Sequence, residues 1–310
     1  MRHLPIAALF VLLAACAASS NGDECQIGAD CPSGACQNGT CVDTDGPTST
    51  SASAGGGLGG TTGSGGAGAT SGPGGGGSFC ANHDFVVEQG ELTLEPGLSA
   101  QLLAAQGVVF STAGSEQVDG TRIWDFTAAL PGDHGLVVST IDLAGTWYES
   151  SFLGATYAAR LSDAEELLGV FEATTDALVL RGVVSPSDGI TRTELVYDPP
   201  VTVLDFPVSE GKTWNSATTI TGLAQGVAVF YTEDYAFEVD ARGQALTPYG
   251  EIEVLRVHSE LVRTIGALVT TVQSHSFVAE CFGSVATVVS EDQEFEKEFT
   301  DAAEVRRLAP

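Results

Sequence analysis

Tyr231-Thr232-Glu233-Asp234-Tyr235-Ala236-Phe237-Glu238-Val239-Asp240 alternates from Asp234 onward, with Tyr235, Phe237 and Val239 on one face and Asp234, Glu238 and Asp240 on the other. A period of two is the signature of a half-buried strand. A turn is expected around Arg242-Gly243-Gln244, after which Glu251-Ile252-Glu253-Val254-Leu255-Arg256-Val257-His258 alternates again, with a phase slip at Val254-Leu255 that suggests a bulge. Together these segments predict a long hairpin. Working outward, further strands are expected at Leu136–Ile141, Leu178–Val184, Thr193–Tyr197, Val201–Phe206, Leu268–Phe277 and Val285–Val289. Only Ser162–Leu168 looks helical, through the capping pattern Ser162-Asp163-Ala164-Glu165. With few helices between strands, crossover units are scarce and the sheet should be antiparallel. The expected fold is mainly β: a curved, largely antiparallel sheet or partial barrel, with a two-sheet sandwich as the alternative.

This β-rich domain spans residues 79–310. Before it, residues 43–78 are nearly all Gly, Ser, Thr and Ala with no aromatic residue, the composition of a flexible linker. Its root-mean-square span is on the order of 30 Å and its taut limit near ~120 Å. Gly55, Gly57 and Gly60 match G-x-G-x-x-G there, but without a preceding strand or following helix the match reflects low complexity.

Residues 1–15 have the layout of a secretory signal: a positive charge at Arg2, an apolar run from Leu4 to Leu13, then small residues. The run is about a dozen residues, short of the roughly 20 a membrane-spanning helix requires. Leu13-Ala14-Ala15-Cys16 resembles the bacterial lipobox, in which the cysteine thiol is acylated and becomes the new N-terminus. That resemblance implies an exported lipoprotein, its partner being the membrane, held through covalent lipid on Cys16 by chains enough for stable anchoring. Ala17, where an aspartate would resemble an inner-membrane retention signal, implies the outer membrane as destination.

Of the seven cysteines, six remain for disulfides in an oxidising compartment. Cys25, Cys31, Cys36 and Cys41 fall in residues 16–42, a segment too poor in large apolar side chains to bury a core, so covalent staples are expected. No Cys-x2-Cys pair is present, which argues against zinc. Asp30-Cys31-Pro32-Ser33-Gly34 through Cys36 and Cys41 resembles cysteine-rich modules of myxobacterial lipoproteins. Of three possible pairings, Cys25 with Cys36 and Cys31 with Cys41 is the one expected. A bond between Cys80 and Cys281 would close a loop of about 200 residues, worth ~4 to 5 kcal/mol in the chain-entropy account. Pro200–Val208 through Gly211-Lys212-Thr213-Trp214, and Leu246–Val257 with its Pro248-Tyr249-Gly250 hairpin, resemble uncharacterised bacterial lipoproteins, some of them similar to the half-barrels of periplasmic lipoprotein carriers. The shared motifs are structural turns, so they imply fold rather than function.

Forty acidic against twelve basic side chains give a net charge of -28. That field disfavours nucleic acid and anionic lipid surfaces as partners. Gly211-Lys212-Thr213 lacks the earlier glycine of a phosphate loop, Phe206 standing in its place. Asp43-x-Asp45-Gly46 lacks the later ligands of a calcium loop. Beyond the signal, His83, His134, His258 and His275 form no metalloprotease motif, and no Gly-x-Ser-x-Gly elbow is present. His134 beside Asp133 reads as a polar turn, while His258 and His275 fall on strands that can be neighbours, leaving a two-histidine site with Glu260 or Glu280 to be tested. No cofactor, metal site or catalytic residue is assigned. Trp124, Trp147 and Trp214 with Tyr148, Tyr157, Tyr231, Tyr235 and Phe237 either fill the core or line an apolar groove. Three functions are therefore expected in this order: a non-catalytic binding or envelope-structural lipoprotein meeting an envelope protein; a carrier or sensor of an apolar, acyl-chain-like ligand cradled behind the Tyr235-Phe237-Val239 face; and a hydrolase.

Overall fold

The computed structural model describes residues 82–310 and, for the backbone alone, a hairpin of β1 (Cys36–Gln37) and β2 (Thr40–Cys41). Cys16, Cys25, Cys31, Cys80, the signal, the linker and Asp43-x-Asp45-Gly46 lie outside the described residues. Along 82–310 the strands are β3 (Val86–Val87), β4 (Ser99–Val109), β5 (Ser115–Glu116), β6 (Arg122–Asp125), β7 (His134–Ile141), β8 (Tyr157–Arg160), β9 (Leu168–Ala173), β10 (Ala177–Val184) and β11 (Glu194–Asp205). There follow β12 (Val208–Ser209), β13 (Thr213–Ala224), β14 (Val227–Leu246), β15 (Glu251–Ile265), β16 (Leu268–Ala279), β17 (Gly283–Ser290) and β18 (Asp301–Leu308). No α-helix occurs among the described residues.

The spatial order β13-β11-β10-β9-β8-β7-β4-β18-β17-β16-β15-β14 closes on itself because β13 also pairs with β14, giving a ring of 12 antiparallel strands. The partial barrel expected from periodicity is thus a complete one, and closure removes the unpaired edges of an open sheet. β14 carries the closure. Its first half pairs with β13 from Val227 to Glu238, while Gly243–Leu246 pair in parallel with β6. The alternation read from the sequence is visible as burial: Tyr231, Glu233, Tyr235, Phe237 and Val239 are buried inside the ring, and Asp234 and Ala236 are exposed.

Three local expectations are corrected. The turn placed at Arg242-Gly243-Gln244 is continuous strand, and the chain reverses at Thr247–Gly250 instead, where Thr247 N–H donates to the Gly250 carbonyl at 2.9 Å. Gly243 serves close approach: a Cβ there would lie 1.8 Å from the Arg122 carbonyl oxygen of β6. Gly243→Val should therefore detach β6 and cost about 3 kcal/mol, measured as a lowered urea midpoint; a change under ~0.5 kcal/mol, the range of an ordinary surface substitution, would contradict this.

The bulge placed at Val254-Leu255 sits across the ladder, where Asp240 is the extra residue between the pairs Val239–Val257 and Ala241–Arg256. Val254 and Leu255 break alternation for another reason: both faces of β15 are buried from Val254 to Ser259. Finally, Ser162–Leu168 forms no helix. The Ser162 hydroxyl does accept the Ala164 N–H at 3.0 Å, as a cap would. The Glu304 carboxylate takes both the Ser162 hydroxyl (2.9 Å) and the Asp163 N–H (2.8 Å), holding the loop against the barrel instead.

The segments expected at Thr193–Tyr197 and Val201–Phe206 belong to one strand, β11. Register against β10 jumps from the Val201–Leu180 pair to the Val196–Gly182 pair, so residues 197–200 stand unpaired in that ladder opposite Arg181, a bulge that accommodates Pro199 and Pro200, which have no N–H to donate.

Candidate functional site

Inside the ring, β13, β14 and β15 bring a charge pair into an apolar setting. Thr218, Glu233 and Arg263 lie side by side in register across the three strands. Arg263 Nε donates to Glu233 Oε1 at 2.7 Å and Tyr235 Oη–H to Glu233 Oε2 at 2.5 Å, with Glu233 fully buried. The Arg263 guanidinium lies 5.8 Å from the Tyr231 ring centre. Burial works against that charge, but Glu233, Tyr231 and Tyr235 overcome it and hold Arg263 above its ordinary pKa. Burial and the Glu233 charge push the Tyr235 and Tyr197 hydroxyls well up. Neighbouring Trp214, Phe237 and Tyr235 stack in series at 5.0 and 5.8 Å. These rings and the Glu233–Arg263 pair occupy the inward side of the Tyr235-Phe237-Val239 face.

The histidines separate into three places. His258 and His275 are Cα partners on β15 and β16, ring centres 5.1 Å apart, so the expectation that their strands are neighbours holds. One ring nitrogen of each is engaged within the protein: His258 Nε2 meets Gln273 Oε1 at 2.7 Å, and His275 Nε2–H donates to the Lys297 carbonyl at 2.8 Å. Gln273 stands between His258 and Glu260, binding Glu260 Oε2 at 3.1 Å, while Glu280 lies at the far end of β16. Beside the pair, Arg256 binds Asp240 in a fork (2.8 Å twice) and Glu298 at 2.7 Å. This cluster lies outside the ring under residues 291–300, which with Trp124, Phe126, Phe277 and Phe299 cover the outer wall. His134 is exposed on β7, four strands from β16 around the ring, and binds Asp163 Oδ2 at 2.8 Å. His134 therefore stands apart from the His258–His275 pair. Among the described residues, no group of three or more His, Cys, Asp or Glu side chains is placed to hold a metal ion.

A pocket lies at the mouth where β14 turns into β15 and β16 into β17. His83, Phe85 and Val87 line this mouth, and their segment is fastened by the short ladder of β3 with β12. Between them and the barrel is a cavity of about 220 Å³ walled by Phe85, Val87, Ile252, Val254, Leu255 and Val278, with Tyr249 and Phe282 packed edge to face at 5.9 Å. Its polar groups are His83, Glu251, Glu253 and Glu280. The His83 ring pairs with Glu253, which raises its pKa, and His83 N–H donates to Glu280 Oε2 at 3.0 Å. Backbone strain gathers here: His83 (φ 61°), Phe85 (φ 58°) and Cys281 (φ 65°) are three of the five non-glycine residues with positive φ among the described residues. Such conformations cost of order 1–3 kcal/mol each and persist where surrounding contacts enforce them, often at ligand sites.

Sequence reading named Glu280 and Cys281 but missed this pocket, because His83, Phe85, Tyr249 and Phe282 are isolated in sequence and periodicity weighs none of them. The nearest usable signal was the Pro248-Tyr249-Gly250 turn, which places an aromatic ring at a hairpin tip.

No protein-family model matches the chain, and no curated protein matches it. A solved structure from Bacteroides fragilis, named as an exported protein with a YmcC-like fold, aligns with 69% of this chain and 96% of its own length, at 11% identity and a TM-score of 0.31, a similarity too low to show a shared fold.

Proposed function

We propose that this chain is an exported, membrane-tethered, non-catalytic binding protein whose barrel seats an apolar group of its ligand in the pocket beside Phe85 and Val278. The pocket carries this reading, since it joins an apolar wall, a few polar groups and locally strained backbone in one concavity. The lipobox-like Leu13-Ala14-Ala15-Cys16 supports export and lipid anchoring, with the outer membrane as destination, and labelled palmitate incorporation that disappears in Cys16→Ser tests it. Cys80 supports a clip on the pocket wall. It precedes His83 by three residues, a reach of at most about 11 Å, and His83 is hydrogen-bonded to Glu280, the neighbour of Cys281. A Cys80–Cys281 bond would hold residues 83–87 over the cavity.

The whole chain bearing Cys16→Ser, which needs no detergent, serves for native mass spectrometry after gentle purification. The expected result is a co-purifying apolar mass that is lost on organic extraction, with a non-reducing digest joining the Cys80 and Cys281 peptides. A bare protein that also gains nothing from added alkyl compounds would refute the apolar site.

A further inference from the structure

The polar groups of the pocket are not neutral hydrogen-bonding groups, and their sign selects among apolar ligands. Glu251, Glu253 and Glu280 stand against His83 as the sole basic side chain of the lining. Glu280 is buried on the pocket wall. Arg242 lies over the Phe85 ring at 5.2 Å but is paired with Glu210 at 3.3 Å, so it does not balance these carboxylates. A fatty-acid carboxylate or a phosphate head would enter this field against repulsion. A positive head would be drawn in, and Tyr249 and Phe282 in the lining are aromatic rings of the kind that attract ammonium groups. We infer that the pocket binds amphiphilic cations: an alkyl chain against Val254, Leu255 and Val278, and an amine or quaternary ammonium head between Glu253, Glu280 and the Tyr249–Phe282 pair. Negative field at this end of the barrel extends past the lining. The Glu91 backbone carbonyl accepts Cys281 N–H at 3.2 Å, and its carboxyl has a raised pKa; burial raises it first, a hydrogen bond accepted from the Glu88 N–H opposes, and the charges of Glu280, Asp84 and Glu88 add to the rise.

This inference rests on the apolar-site reading, and one titration series separates the two. The full chain with Cys16→Ser is titrated calorimetrically at pH 7.5 with decyltrimethylammonium, decanoate and 1-decanol, each below its aggregation threshold. The cation should bind at least about tenfold more tightly than decanoate, and the preference should shrink as salt rises. In Glu253→Gln/Glu280→Gln the side-chain oxygens remain to accept from His83 while two negative charges are lost, and the cation should weaken by about tenfold with decanol unchanged. Val254→Trp should block all three probes, with near-ultraviolet circular dichroism checking that the barrel is intact. If decanoate and decanol bind as well as the cation, the pocket stands and its charge selectivity is overturned. If no probe binds, the apolar-site reading falls, and this inference with it.

Discussion

Arg263→Met should lower stability by about 3–5 kcal/mol, because it leaves the Glu233 carboxylate buried in the barrel with the Tyr235 hydroxyl as its remaining partner among the described residues. Glu233 is fully buried, so water cannot replace the lost guanidinium without opening β14 from β15. At ~2–4 °C per kcal/mol for a domain of this size, the midpoint of thermal unfolding should fall by about 6–20 °C. The double variant Glu233→Leu/Arg263→Met removes both charges and fills the space with apolar atoms, so it should recover most of the loss. Denaturant unfolding of the two variants decides the matter. A single variant within ~1 kcal/mol of the parent, or a double variant no better than the single, would mean that the pair is not isolated from water as the geometry indicates.

The second large effect is acid sensitivity centred on His275. Burial, then the positive charges of Arg256 and His258, push its pKa down to about 3, whereas an unfolded chain titrates near ~6.5. Its Nε2–H already donates to the Lys297 carbonyl, and Nδ1 is buried without a hydrogen-bond partner, so a second proton would have no acceptor. A histidine depressed in the folded state contributes stability that is complete above the unfolded value and lost as pH falls toward the folded one. The window therefore runs from about 6.5 down to about 3, with roughly 2–3 kcal/mol lost by pH 4.5 and ~4 by pH 3.

Neighbouring groups act in the same direction. His258 is also lowered, by burial first. Burial would raise the Asp240 and Glu298 carboxyls, but hydrogen bonds and charge from Arg256 outweigh it, so both are lowered and lose their contribution on acidification. Lys297 faces the same cluster and stays charged through Glu238 and Asp240. Urea midpoints from pH 7.5 to 4.5 should slope downward in the parent and be clearly flatter in His275→Gln, whose amide can still reach the Lys297 carbonyl. An unchanged slope would sink this account.

Local pattern in the chain was enough to determine the class of fold. Alternation through Tyr231–Asp240 and Glu251–His258 announced the pair that became β14 and β15, and the scarcity of helical periodicity announced an antiparallel sheet. It misled where one residue type serves two purposes. Gly243 is a turn residue by propensity, yet here it admits the backbone of β6, a strand more than a hundred residues earlier. Ser162 begins a helix by propensity, yet Glu304, also more than a hundred residues away, takes its hydroxyl.

Short strands such as β8 and β6 escaped notice because four residues carry too little periodicity to read, and β18 because its buried Glu304, Arg306 and Arg307 disguise a strand as polar. Closure of the ring, the stacking of Trp214, Phe237 and Tyr235 and the covering of His258 and His275 were decided by tertiary structure alone. So was the pocket, which requires residues 83–87, 249–255 and 278–282 to meet at one mouth. Periodicity states which face of a strand is buried, since that depends on i and i+2. What covers that face depends on contacts between residues far apart in the chain, and only the folded barrel supplies them.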